Sequence, residues 1–281
     1  MYGLKEFLDG KGFQEVLTPV LRKDTGSKVT QRISTDISYA LRDSHELQLR
    51  YLLSEYPCVY EIGSCFRRED RTKSATKANE FLLMELFSCR HNLEDLKKIM
   101  KELILSYKPD TEFEEISIAG YIRENLGIDL FKSDQSELYS VLRKLYPEEK
   151  FEYDYKYVMH YIEAEIEPLG KNKIVFFMEY PECTCSYADI ISGSVVSRFE
   201  LFADGLELAN AFDDECLPER FADRNKLLPI FPKEEAAIVR GLDEGILPEK
   251  SAGLGIGIER LCMFIYGSND INDFAFPSED F

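Results

Sequence analysis

Apolar positions recur along this chain in two rhythms, one of every three or four residues and one of every second residue. They predict alternating helices and strands. Leu4, Phe7 and Leu8 mark a helix over residues 2–9 that Gly10 and Gly12 stop, and Phe13–Pro19 reads as a strand with a terminal proline. A second amphipathic helix is expected over residues 45–56 and a strand over Cys58–Arg67. A polar loop follows from Asp70 to Asn79, and the chain returns as a strand from Glu80 to Cys89. Asn92 is placed to cap the next helix, with Glu94 and Asp95 in its first turn and Leu93, Leu96, Ile99, Met100, Leu103 and Ile104 along its apolar side. Residues ~115–170 are polar and mostly helical in pattern, and are expected to form an insertion. Ile174–Met178 reads as a buried strand, and Asp204-Gly205 turns a hairpin between the alternating residues of Arg198–Ala209. A glycine-spaced strand running into a helix, Gly253-Leu-Gly-Ile-Gly-Ile-Glu-Arg260, completes the order. Strands joined by hairpins and long loops, with helices between them, indicate an α+β fold built on an antiparallel sheet flanked by helices. Regular βα units of a parallel sheet are missing.

Composition narrows this picture. The 281 residues are 44% apolar, enough for a sizeable core, and no Pro/Gly/Ser-rich linker divides them. The expectation is a single domain over 1–281 carrying the insertion at about 115–170. The first residues lack the pattern of a signal peptide, and no apolar run approaches the ~20 residues a membrane span needs. Seven scattered cysteines fit free thiols in a reducing cytoplasm better than a disulfide framework. Cys183-Thr-Cys185 lacks a second pair at ligand spacing and reads as two thiols on alternate sides of the chain. A net charge of −18 leans against tight binding of nucleic acid by this chain alone, although Arg67, Arg68, Arg71 and Lys73 cluster locally.

Several residues carry candidate chemistry. Strand alternation puts Phe81, Leu83, Glu85 and Phe87 on one face, offering aromatic planes beside a carboxylate. Taken alone, this is also an ordinary core face with Glu85 at its edge. A two-residue turn at Asp204-Gly205 pairs Phe202 with Glu207 and Glu200 with Ala209, so Glu200 and Glu207 point from one face and can share a divalent cation. Asn210 and Asp214 have the opposite parity from Glu207, so a bulge must intervene if all are to face one site. Arg260 lies in the first turn of a helix, where anions are favoured, and Arg67 at a strand end. Dinucleotide and Walker spacings are missing, and His45, His91 and His160 suggest no nucleophile arrangement.

Together these segments resemble the catalytic domain of the class II aminoacyl-tRNA synthetases. Gly12-Phe-Gln-Glu-Val-Leu-Thr-Pro19 is similar to motif 1, and Phe66-Arg-Arg-Glu69 with Glu80-Phe-Leu-Leu-Met-Glu85 to motif 2. Gly253–Arg260 is similar to motif 3. Arg198–Phe202 and Glu207–Asn210 resemble the stretch before motif 3 in the lysine/aspartate/asparagine subgroup, lysyl enzymes in particular. Within it the resemblance is nearest to the freestanding paralogue that ligates lysine or an isomer to elongation factor P, which lacks the anticodon-binding barrel, as this chain is expected to.

The resemblance implies ATP and Mg²⁺ as cofactors and an aminoacyl-adenylate as intermediate. It implies that Arg67 holds the α-phosphate and substrate carboxylate, Arg260 the γ-phosphate, Phe81 and Glu69 the adenine, and Glu200 and Glu207 the Mg²⁺. Glu46, Glu85, Phe87, Asn210, Phe212, Asp214 and Gly255 would line the amino-acid pocket. A lysine-like amino acid, an elongation factor P-like protein or tRNA as acceptor, and a homodimer are the implied partners. A small-molecule acceptor and a catalytically silent regulatory paralogue are the alternatives, the latter opposed by five intact positions at Arg67, Glu69, Glu200, Glu207 and Arg260. Three departures from the pattern stand out. Lys77-Ala78 replaces His-Asn in the motif 2 loop, Asp214 stands where lysyl enzymes have a glutamate, and Gly255 matches lysyl enzymes where the elongation factor P ligase has alanine.

Overall fold

The computed structural model describes residues 2–23, 32–33, 39–67, 75–227 and 232–274. They divide into two compact units, residues 1–109 with 216–281 and residues 110–215. The first unit begins with α1 (Tyr2–Gly10), β1 (Gln14–Glu15), β2 (Leu21–Lys23), β3 (Arg32–Ile33), β4 (Tyr39–Leu41) and α2 (Glu46–Leu52). β5 (Cys58–Phe66), β6 (Glu80–Ser88) and α3 (Leu93–Tyr107) follow. The second unit contains β7 (Glu114–Ser117), α4 (Ile118–Leu126), α5 (Ser136–Leu145), α6 (Tyr155–Tyr161), β8 (Ile174–Pro181), β9 (Ile190–Ser192), β10 (Val195–Ala203) and β11 (Leu206–Asp213). The chain then returns to the first unit with α7 (Pro218–Leu227), α8 (Pro232–Asp243), β12 (Ala252–Gly257) and α9 (Ile258–Tyr266).

In the first unit the strands run β1-β5-β6-β12, with a separate small sheet β2-β4-β3. Among the described strands there only β1 on β5 is parallel, and β5, β6 and β12 are antiparallel neighbours. In the second unit the order is β11-β10-β8-β7, β9 also pairs with β10, and β7 lies parallel to β8. The fold is α+β, antiparallel at its centre, as its hairpins imply. The Phe13–Pro19 strand shrinks to two residues, because Thr18 gives its N–H to the Glu61 carboxylate at 2.9 Å instead of to a neighbouring strand. The helix expected over 45–56 stops at Leu52, where Ser54 and Glu55 bond back in tight turns.

α3 begins as its sequence predicts. Asn92 accepts from the Asp95 N–H, Asp95 reaches back to the Asn92 N–H, and Leu96, Ile99, Met100, Leu103 and Ile104 are buried. The second unit packs α4, α5 and α6 against its sheet through a core that includes Ile118, Leu138, Val158, Ile162, Phe177 and Val195. A π-helical turn at Ile162–Ile166 leads into a 3₁₀ turn at Glu167–Gly170.

Candidate active site

In the first unit, β6 delivers its residues between two partners. On one side Glu85 pairs with Glu61 and Phe87 with Val59 of β5. On the other, Leu83, Glu85 and Phe87 stand opposite Gly257, Gly255 and Gly253 of β12. Paired residues of an antiparallel ladder project to the same face, so the alternating glycines leave a lane free of side chains beside Glu85. A Cβ on Gly253 would lie 2.3 Å from the Phe87 ring, which shows why that position has none. Phe87 packs with Leu49, Leu53 and Val59, and thus serves the local core as well as the strand face.

The Glu85 carboxylate is held rather than loose. It accepts from the Ser44 hydroxyl at 2.9 Å and from the His45 N–H where α2 begins. Ser44 in turn accepts the Glu46 N–H at 2.9 Å, and Glu46 lies 3.5 Å from Arg50. Behind them is a buried layer the sequence reading missed. Arg42 donates to Glu61 at 2.6 Å, to Ser64 O at 2.8 Å and to Thr18 O at 3.0 Å. A Cβ on Gly63 would sit 2.3 Å from Arg42 Nη2, so this mid-strand glycine is the space the guanidinium fills. A glycine inside an alternating strand is the one signal that could have revealed it. Burial holds the His45 imidazole below its usual range, against the pull of Glu85, and keeps it neutral at pH 7.

The backbone of Arg67 and the side chain of Arg260 each bond the segment Thr76–Asn79. The Arg67 N–H donates to Asn79 O at 2.9 Å, and Arg260 Nε donates to Thr76 O at 3.2 Å. Arg67 also donates from Nε to Asp43 O at 3.3 Å, and its guanidinium lies 5.3 Å from the centre of the Phe81 ring. One face of Phe81 is thus covered by a cation, and only the other can take a further planar group. Beside Arg260, Glu259 accepts the Leu82 N–H at 2.8 Å and docks α9 onto β6. Glu69 lies outside the described residues.

The second unit holds the other candidates. Its hairpin pairs Phe202 with Glu207 as expected, but Leu201 faces Ala209 and Glu200 faces Asn210. The expected Glu200–Ala209 pairing is therefore off by one, because Leu208 is an extra residue in a β-bulge. That bulge is the one the parity argument requires. Glu207, Asn210 and Phe212 share the face of Arg198 and Glu200. Phe212 is buried in the unit's core, and Asp214, 4% exposed, follows the strand end in a bridge with Ala188.

Arg198 and Tyr180 hold Glu200, and Arg198 also holds Asn210. Arg198 bonds Glu200 Oε1, Tyr180 donates to Glu200 Oε2 at 2.7 Å, and Arg198 Nε also donates to Asn210 Oδ1 at 3.1 Å. Burial works against the Arg198 charge, and the Glu200 carboxylate more than restores it. Burial first, and Glu200 second, push the Tyr180 phenol well above its usual range. Glu167, given no site role by the sequence, is pushed up to about 7 by burial and by the carboxylates of Glu200, Glu163 and Glu207.

Crowded, partly buried carboxylates fit a hard cation, and Glu200 with Glu207 supplies only oxygen donors. Mg²⁺ usually takes one or two protein carboxylates and completes its shell with water and phosphate. Among the described residues no group of three or more His, Cys, Asp or Glu side chains could hold a metal ion. None of the described helices is long and apolar enough to cross a membrane.

Residues 1–280 match the family model described as tRNA synthetases class II (D, K and N). The chain is similar to the lysine–tRNA ligase of Fervidobacterium nodosum, at 32% identity over 98% of this chain and 59% of that protein. It is similar to those of Thermosipho africanus, at 31% over 98% of this chain and 60% of the relative, and Lactococcus lactis subsp. lactis, at 28% over 98% and 62%. The chain thus spans about three-fifths of the length of these curated relatives.

Proposed function

The chain belongs to the class II (D, K and N) tRNA synthetase family, and from that premise we propose that it is an ATP-dependent ligase activating lysine or a related cationic amino acid. The observation that carries this reading is the pair of held guanidinium groups in the unit that carries the glycine lane of Glu85: that of Arg67 rests on Asp43 O and the Phe81 ring, and that of Arg260 on Thr76 O. Rigidly held guanidinium groups bind phosphate and carboxylate oxygens bidentately. The amino-acid carboxylate attacks the α-phosphorus of ATP, pyrophosphate leaves, and the acceptor's nucleophile then attacks the aminoacyl-adenylate. Arg67 orients the carboxylate and α-phosphate, and Arg260 neutralises charge on the leaving pyrophosphate. No side chain has to act as a nucleophile, so catalysis is positioning and electrostatics. Glu200 and Glu207 would hold the Mg²⁺, which supplies further neutralisation of phosphate charge. Glu46, Glu85 and Asp214 provide carboxylates for the substrate's ammonium groups, and Phe81, Glu69, Phe87, Asn210, Phe212 and Gly255 complete the adenine and amino-acid contacts.

The test is ATP–pyrophosphate exchange over a panel of amino acids. Exchange is expected with lysine or a close cationic analogue, and Arg260→Ala is expected to reduce it about 10²–10³-fold, as loss of one oxyanion donor does. Absence of exchange with every amino acid overturns the reading. Asp214→Glu lengthens the carboxylate arm by one methylene and is expected to shift preference toward lysine itself.

The acceptor is a separate question. The names of the relatives favour tRNA, and the resemblance to the freestanding elongation factor P ligase favours a protein lysine. Presenting the charged enzyme with tRNA and with elongation factor P separates the two. A homodimer formed through the motif 1 segment, which the resemblance implies, is supported there by the exposure of Leu17 at 82%.

A further inference from the structure

Arg198 was part of a family-like segment but had no role of its own. Its guanidinium is used on every edge. Nε donates to Asn210 Oδ1 at 3.1 Å, Nη1 lies 3.4 Å from Thr184 O and Oγ1, and Nη2 bonds Glu200 Oε1. Its flat face lies 4.5 Å from the centre of the Tyr180 ring, and the Tyr180 hydroxyl takes the second Glu200 oxygen at 2.7 Å. Arg198 and Tyr180 are 8% and 1% exposed.

We propose that Arg198 and Tyr180 are positioning residues that join a metal-holding carboxylate, Glu200, and an amino-acid-binding amide, Asn210, into one preset unit. The inference rests on the reading above for the roles of Glu200 and Asn210. Tyr180 fixes the rotation of the Glu200 carboxylate, because each oxygen has its own donor. Arg198 sets the amide of Asn210, because guanidinium only donates. The bonded atom must therefore be the amide oxygen, and what Asn210 offers a ligand is its N–H₂. A donor amide suits the carboxylate or carbonyl of an amino acid and not its ammonium group. Recognition of the cationic end then falls to the carboxylates.

The test uses the full chain with Mn²⁺ as a spin probe for the metal. Mn²⁺ affinity in the presence of ATP is read by electron paramagnetic resonance for the parent, Tyr180→Phe, Arg198→Lys and Glu200→Gln, with thermal midpoints recorded alongside. Tyr180→Phe keeps the ring and loses only the hydroxyl. It is expected to weaken Mn²⁺ binding about 10-fold while leaving the KM for the amino acid unchanged, since removing a group that orients a ligand costs about 10- to 100-fold. Arg198→Lys keeps the charge but loses the fork, so both Mn²⁺ affinity and amino-acid KM are expected to worsen. If Glu200→Gln weakens Mn²⁺ binding and Tyr180→Phe does not, the positioning role is overturned and the metal reading stands. Unchanged Mn²⁺ affinity in Glu200→Gln overturns the metal reading and the inference with it. Should Arg198→Lys fail to fold, Tyr180→Phe decides alone.

Discussion

Gly63 shows how one missing side chain can organise a buried layer. Its absent Cβ leaves the space for Arg42, which is 3% exposed and pairs with Glu61 at 1%. Gly63→Ala must displace the guanidinium and is expected to cost about 2–3 kcal/mol in urea unfolding, in the range of overpacking and of disturbing a buried ion pair. Gly10→Ala is the control. Nothing lies within 4 Å of a Cβ there, so about 0.5–1 kcal/mol of stabilisation is expected. Equal effects of the two changes would remove the argument for Arg42. Glu167 offers a second single-residue test. Its folded carboxyl keeps a proton to about pH 7, whereas the unfolded one releases it near 4.5. The stability it contributes is therefore complete below the unfolded value and lost as pH rises to about 7. Glu167→Gln should raise the thermal midpoint relative to the parent at pH 8 and much less at pH 4, and a pH-independent difference would refute the assignment. The sequence marks Gly63 only as an oddity in a strand and gives Glu167 no site role, since its raised proton affinity comes first from burial and then from carboxylates that include Glu200 and Glu207, 33 and 40 positions away.

At the scale of elements, α3 and the β6–β12 pair were the most legible parts. The cap, first-turn acids and apolar spacing of α3 act within four residues of one another, so reading them needs no knowledge of the rest of the fold. Asn92→Ala removes the cap and should cost about 1 kcal/mol. Faster amide exchange confined to the first turn of α3 is the matching local signal. The glycines of β12 were legible as a spacing, but their purpose became clear only from the register opposite Phe87, Glu85 and Leu83. The hairpin of β10 and β11 taught the opposite lesson. Its turn was correctly located by Asp204-Gly205, both with positive φ, yet the pairing beyond it slipped by one residue. Turn chemistry specifies the first pair, whereas a bulge depends on how both strands pack, and here Leu208 is 1% exposed.

For the whole molecule, charge and the motif 1 segment make the testable statements. A net charge of −18 implies self-repulsion, so the thermal midpoint should rise as salt is raised from low to physiological levels. Leu17, 82% exposed, is the centre of the contact in the homodimer proposed above. Leu17→Asp should shift the sedimentation profile toward monomer, and an unchanged profile would move the interface elsewhere. What the sequence by itself determined is the strands and helices that carry the motifs, the α+β class and the family, because periodicity, capping and ordered motifs are carried by neighbours along the chain. Only the tertiary structure decided that Arg198 serves both Glu200 and Asn210, that Gly63 houses Arg42, and that the Arg67 guanidinium rests on Asp43 and Phe81 while that of Arg260 rests on Thr76. Those relations are contacts between distant positions, and their strength comes from burial, which removes the water that would otherwise satisfy each charge separately.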